Sequence, residues 1–341
     1  MVTALDYRAW GALQKADYGN GRRLALGYNQ KRGQLGSVKL RKTDDTDVVT
    51  NLGYDYYSGG GGSNGNNGRV RFITDYLDGN YSVDISYDDH NRLTAYGNYR
   101  SYTYDEWNNL KIVSSGNGVG EAPNYTLSYA TNASGAPSSN RIANTGYTFD
   151  SAGNVTNDGN LAYAYDAASR LKTAGSNNSS EYDGDGNKVK SVSGGYPLYY
   201  LWSSVLGAPV VELDSTGAVY RAYVTGPGGQ VIAVQSYDGG FYWLHMDALG
   251  NGRKMTDSSG AVIYRAEYDP HGQILYEWQS SGATYLNSHK FTGYERDWST
   301  NLDNAKARTF NHNKGRFRQP DPLGVTGCDE PAESTRCGHA S

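Results

Sequence analysis

The chain has 341 residues, enough for one large domain or two ordinary ones, and a net charge of −4. It carries 31 Tyr against 6 Phe and 44 Gly against 9 Pro, with only 37% hydrophobic residues. That balance excludes both a Leu/Ile/Val-filled globule and an aromatic-poor disordered chain, and a pI of about 5.9 removes any global electrostatic case for binding nucleic acid or an anionic membrane.

The first residues, MVTALDYRAWGALQ, lack the basic and apolar regions of a secretory leader. No apolar run approaches the ~18–20 residues needed to cross a bilayer. The short basic runs Gly21-Arg22-Arg23 and Lys39-Leu40-Arg41-Lys42 read as solvated strand ends. Ser58 to Gly68, almost entirely Gly, Ser and Asn, has the composition of a flexible linker. Tyr-rich segments resume on both sides of it, so it is expected to be a long loop within one structure.

From residue 81 onward alternation points to strands. Tyr81, Val83, Ile85 and Tyr87 would line one face, with Ser82, Asp84, Ser86 and Asp88 on the other. A repeat then emerges: an aromatic-Asp pair, a Gly- or Asn-containing turn, and a second short strand. It is seen at Tyr87-Asp88, Tyr104-Asp105, Phe149-Asp150, Tyr165-Asp166, Tyr182-Asp183 and Tyr268-Asp269, spaced by ~16–17 residues where adjacent. An Asp after a strand can accept hydrogen bonds from backbone N–H groups two residues on, while Gly or Asn tolerates positive φ. These aspartates are therefore turn formers, and the tyrosines pack between hairpins. Later, Val262, Tyr264, Ala266 and Tyr268 alternate with Ile263, Arg265 and Glu267. No segment carries a sustained helical stripe, so the fold is expected to be all-β.

This pattern resembles the YD repeat of the RHS/YD family, which includes bacterial polymorphic toxins, the C proteins of insecticidal toxin complexes and animal teneurins. The match tightens from residue 241. FYWLHMDALGNGRKMTDSSGAVIYRAEYDPHGQIL is similar to the family's Y-x-x-x-D-x-L-G stretch running on into Y-D-P-x-G. The segment HKFTGYERDWSTNLDNAKARTFNHNKGRFRQPDPLG resembles F-T-G-x-E-x-D, L-D-x-x-x-A-R and G-R-F-x-x-P-D-P-x-G in that order. The resemblance implies spiralling antiparallel β-hairpin strips forming a hollow shell around a C-terminal effector, capped by the RHS-associated core. It divides the chain into a YD-repeat segment at 1–240, the core at 241–324 and a tail at 325–341 that is foreign to the family and expected to be disordered.

In toxin-bearing members the core is also an intramolecular aspartyl protease, which needs two carboxylates sharing a proton. Asp321 matches the first acid and Arg308 the assisting arginine. Nothing matches the second acid, because Asp329 comes too early and in the wrong context. Thr309-Phe310-Asn311-His312 also replaces the family's Tyr-Tyr-Asp-Pro. A lone carboxylate cannot run dyad chemistry, so no self-cleavage is expected, and Arg308–Asp321 is read as a buried salt bridge holding the plug.

Cys328 and Cys337 lie in the last fourteen residues, so no disulfide framework braces the body. With His339 they form a Cys-x8-Cys-x-His spacing that is weak as a metal site. For suitable synonymous codons, a shifted reading frame near residues 325–328 would restore a family-like Val-Thr-Asn-Pro-Gln-Ser. The six histidines are scattered, with no His-Glu-x-x-His and no Gly-x-Ser-x-Gly; His245 is read as structural.

The function expected is a structural shell segment that encases or presents an effector. The alternatives are a cell-surface adhesion or carbohydrate-binding protein and a self-processing protease. Candidate partners are the chain's own C-terminal effector segment, glycans or secretion machinery, with no nucleic acid, membrane span, metal or cofactor. By family habit the location is secreted or cell-surface in a bacterium.

Overall fold

Turn chemistry organises the chain. The computed structural model describes residues 2–57, 65–116, 125–226, 229–281 and 287–322. At Asp88, Asp105, Asp166, Asp183 and Asp269, one carboxylate oxygen accepts the N–H groups of both the second and the fourth residue on, at 2.8–3.0 Å. The third residue on has positive φ in each: Asn91, Asn108, Ser169, Gly186 and Gly272. The second oxygen takes the side chain of the fourth, as Arg92, Asn109, Arg170 and Asn187 do. One carboxylate therefore closes a four-residue loop that leaves several backbone donors otherwise unpaired. Asp214, Asp247 and Asp257 close the same loop, although no Tyr precedes them.

Successive hairpins are stapled through the tyrosines. The hydroxyls of Tyr104, Tyr165 and Tyr182 donate to the carbonyls of Leu93, Val155 and Leu171 in the hairpin before, at 2.7–2.9 Å. The guanidinium groups of Arg92 and Arg170 lie 4.9 Å from the ring centroids of Tyr104 and Tyr182. Phe could supply the ring but not the hydroxyl, which accounts for the excess of Tyr.

The strands form a meander. Among the described residues, eleven run in sequence order from Val2–Tyr7 to Tyr125–Thr126 in one sheet, and twelve from Tyr163–Tyr165 to Ile274–Gln279 in another. Two hairpins bridge them, Tyr129–Thr131 with Pro137–Ile142 and Tyr147–Phe149 with Val155–Asp158. Among the described residues all pairings are antiparallel, helical turns are confined to short 3₁₀ segments, and no helix is long and apolar enough to cross a membrane. Thr50–Asp55 pairs directly with Phe72–Asp75, so the Gly-rich stretch joins neighbouring strands of one sheet. Its residues 58–64 lie outside the described residues, as do 323–341 with Asp329, both cysteines and His339. The ladder passes through residue 240 unbroken, since Val231–Ser236 pairs with Phe241–Met246.

The two large sheets pack on each other, and this corrects one sequence expectation. Arg22 is buried, not solvated: it donates to the Gly260 carbonyl at 2.7 Å and to the Asp47 carboxylate at 2.8 Å. Val262–Tyr268 is buried on both faces. Tyr264, Ala266 and Tyr268 enter the main core cluster, while Arg265 reaches Asp78 at 3.3 Å and covers the Tyr81 ring. His245 is buried with its Nε2 against Thr256 Oγ1, a structural position as read.

Candidate functional site

The end of the chain forms a separate four-stranded sheet: Glu295–Arg296, Asp303–Ala305, Arg308–Asn311 and Arg316–Phe317. Its loops use the same chemistry, with the Asp297 carboxylate accepting the N–H groups of Ser299 and Thr300. Its interior is small: Phe310 lies between Phe291 and Phe317, with centroids at 5.6 and 5.2 Å. Leu302 adds an apolar contact with Val155, Tyr163 and Ala174 of the wall, and the rest of the anchoring is polar.

Arg296 holds Asp303 through two bonds at 2.7 and 2.9 Å, both side chains buried, and also donates to the Gly272 carbonyl on the wall. Burial works to raise the Asp303 pKa, but His312 and Arg296 together hold it below the ordinary range. Glu295 accepts from Lys188 Nζ at 2.7 Å and the Tyr200 hydroxyl at 2.9 Å, both on the wall. Burial again opposes ionisation, yet Lys188 wins and the Glu295 pKa falls to about 2. Arg318 pairs with Asp158 and lies over the Tyr163 ring, while Arg316 donates to Asn109, Tyr129 and the Asn140 carbonyl. The Arg318 carbonyl accepts the Val155 N–H, so the last strand also bonds to the wall through its backbone.

Arg308 and Asp321, proposed from sequence, are brought together. The guanidinium stands 3.1 Å from the carboxylate and 3.7 Å over the Phe317 ring; both side chains are partly buried. Glu295 and Asp303 belong to the motifs F-T-G-x-E and L-D-x-x-x-A-R, whose order was legible without their partners. Lys188, Glu212 and Tyr223 on the wall escaped sequence reading altogether. The partner of Lys188, Glu295, lies 107 positions away, whereas Glu212 meets Tyr223 and Arg221 across one hairpin, a pairing that no motif marks.

A meander of β-hairpins, capped by a small end sheet that arginines and acids clamp in place, defines a YD-repeat shell. The family model described as Teneurin YD-shell matches residues 65–330, and the chain belongs to that family. It is 27% identical over 233 residues to the tRNA3(Ser)-specific nuclease WapA of Bacillus spizizenii, covering 66% of this chain and 10% of that one. It is 25% identical over 229 residues to Teneurin-1 of Mus musculus, covering 64% and 8%. The chain thus spans about a tenth of the length of these curated relatives. Among solved structures, the crystal structure of TcdB2-TccC3-Cdc42 superposes with a TM-score of 0.77 at 18% identity, over 96% of this chain and 18% of that one. The Photorhabdus luminescens Tc holotoxin pore carrying TccC3-D651A gives 0.73 at 18% identity, over 95% and 18%. These likenesses establish the fold: spiralling antiparallel strips capped by an end sheet.

Proposed function

We propose that the chain is a structural shell segment that encloses or presents a C-terminal effector outside the cell or at its surface. The observation that carries this is the wall–plug clamp. Arg296, Glu295, Arg316 and Arg318 are each committed to partners on the wall, which suits holding a lid better than turning over a substrate. Enclosure is tested by joining one peptide with a protease site after Ser341 or before Met1. The C-terminal peptide should be cut more slowly, and equal rates would overturn the enclosing role.

Self-processing is not expected. Asp321 is paired with Arg308, and the aspartyl mechanism needs a second carboxylate sharing a proton with it. The purified chain should show one intact mass near 37.1 kDa, whereas a cut beyond Asp321 would reinstate the protease. An adhesion role is favoured by outward-facing aromatics such as the stacked Tyr220–Tyr237 pair, 5.8 Å between centroids, and exposed Tyr196 against Trp298. A glycan array without hits would count against it.

A further inference from the structure

Between the two large sheets the ladder of the wall is interrupted. The hairpins Tyr129–Thr131 with Pro137–Ile142 and Tyr147–Phe149 with Val155–Asp158 belong to neither sheet. The first is tied to the strands before it through the bond from the Leu127 N–H to the Lys111 carbonyl. The second is tied to the strands after it by a single bridge, Asn157 with Ala162. Among the described residues no strand pairing joins one hairpin to the other. The apolar clusters divide at the same point. Tyr102, Leu110 and Val113 take in Tyr125 on one side, while Val155, Tyr163 and Ala174 take in Tyr147 and Phe149 on the other.

The last strand of the end sheet crosses this gap. On one side Arg316 donates to Asn109, the Tyr129 hydroxyl and the Asn140 carbonyl at 2.8–3.2 Å, and the Lys314 ammonium lies 4.3 Å from the Tyr125 ring centroid. On the other side Arg318 meets Asp158 and covers the Tyr163 ring, and its carbonyl accepts the Val155 N–H. Arg141, 5.5 Å from the Phe149 ring centroid, adds a weaker contact across the gap. Within its own sheet the strand pairs only with Arg308–Asn311.

We propose that Arg316–Arg318 is a latch across a seam, and that the wall parts between the two hairpins when this strand is drawn out. Elsewhere in the wall, separating neighbouring strands breaks a row of backbone bonds together. At the seam the bonds of one edge strand hold both flanks, so opening there takes the least free energy. A pull on a polypeptide joined beyond Asp321 would act on the latch first, and the seam would give it a way out that needs no cleavage.

The latch is a property of the wall and does not depend on the enclosing role. The test is hydrogen–deuterium exchange of the intact chain, read by mass spectrometry. In the unmodified protein both hairpins should exchange faster than Leu35–Lys42 and Val262–Tyr268 inside the large sheets. Arg316→Ala and Arg318→Ala should each speed exchange about tenfold at both hairpins, the effect of losing a charged hydrogen bond. The far hairpin decides the matter, because the Arg316 side chain bonds before the gap and that of Arg318 after it. Leu35–Lys42 and Val262–Tyr268 should change less than about twofold. The proposal is overturned if each variant loosens only the hairpin it bonds, if exchange rises evenly through the wall, or if the unmodified hairpins are as protected as the large sheets. Should Arg318→Ala fail to fold, because it leaves Asp158 without its arginine, Arg316→Gln gives the same reading. Loss of the whole fold in both would also overturn the proposal, since a latch can be removed without the wall.

Discussion

Within one repeat the aspartate carboxylate serves two groups at once, the loop backbone and the side chain four residues on. Asp166 accepts from the Ala168 and Arg170 N–H groups and, on its other oxygen, from the Arg170 guanidinium. Replacing it with Ala should cost about 1–2 kcal/mol. Asp166→Asn should cost less, because one oxygen still accepts the two N–H groups. Urea unfolding midpoints measure both, with exposed Asp89→Ala as a control that should change little. The same bonds set an acid limit. Side-chain hydrogen bonds from Asn187 and Thr216 are the largest influence lowering Asp183 and Asp214. At Asp88 and Asp166, burial pushes upward and is outweighed by the backbone N–H groups and arginine. A carboxylate with a depressed folded pKa stabilises fully above its ordinary value of about 3.9 and loses that stabilisation as pH falls through the folded value. The contribution of these turns should therefore be flat from pH 7 to 5 and fade below about pH 4. Melting temperatures unchanged down to pH 2.5 would contradict the turn assignment.

At the scale of the hairpin, the third loop residue decides how tightly the next layer can approach. Gly217 and Gly272 hold it at φ +83° and +89°. A Cβ at Gly217 would meet nothing within 4 Å, whereas one at Gly272 would run into the Phe291 ring of the plug. Gly217→Ala should therefore cost about 1 kcal/mol, the backbone penalty alone. Gly272→Ala should cost roughly 2–4 kcal/mol, because the ring must also move. Equal costs by urea denaturation would mean that Phe291 does not seat on this loop. The turns were legible in the sequence because Asp, the positive-φ residue and the returning Arg-Leu or Asn-Leu all fall within six positions. The recurrence of Arg or Asn at the fourth position after Asp was equally visible. Its purpose was not, since Arg170 also reaches the Asp183 carbonyl of the following repeat.

Across the whole molecule, charge pairs replace the missing hydrophobic bulk. Lys188 and Glu295 join strands 107 positions apart at 2.7 Å, linking wall to plug. Breaking such a pair from one side leaves a poorly solvated charge. With their side chains 12% and 20% exposed, Lys188→Met or Glu295→Gln should each cost about 2–3 kcal/mol, discounted for solvent from the fully buried case. The double variant should cost less than the sum. Strict additivity in a double-mutant cycle would show that the pair does not hold the plug. Arg100 with Asp269 and Arg22 with the Gly260 carbonyl act alike between the two large sheets, both arginines buried.

The sequence by itself determined the all-β class, the hairpin unit, the joining of strands across the Gly-rich stretch and the identity of the end motifs. Each depends on interactions within about twenty residues, where a side chain and its partner travel together along the chain. Only the tertiary structure decided that Arg22 is buried, that Val262–Tyr268 is covered on both faces, and that Glu295 finds Lys188. Whether a charge faces water or a counter-charge depends on which distant strand folds over it, and a repeating wall offers many equivalent strands to the eye but only one in space.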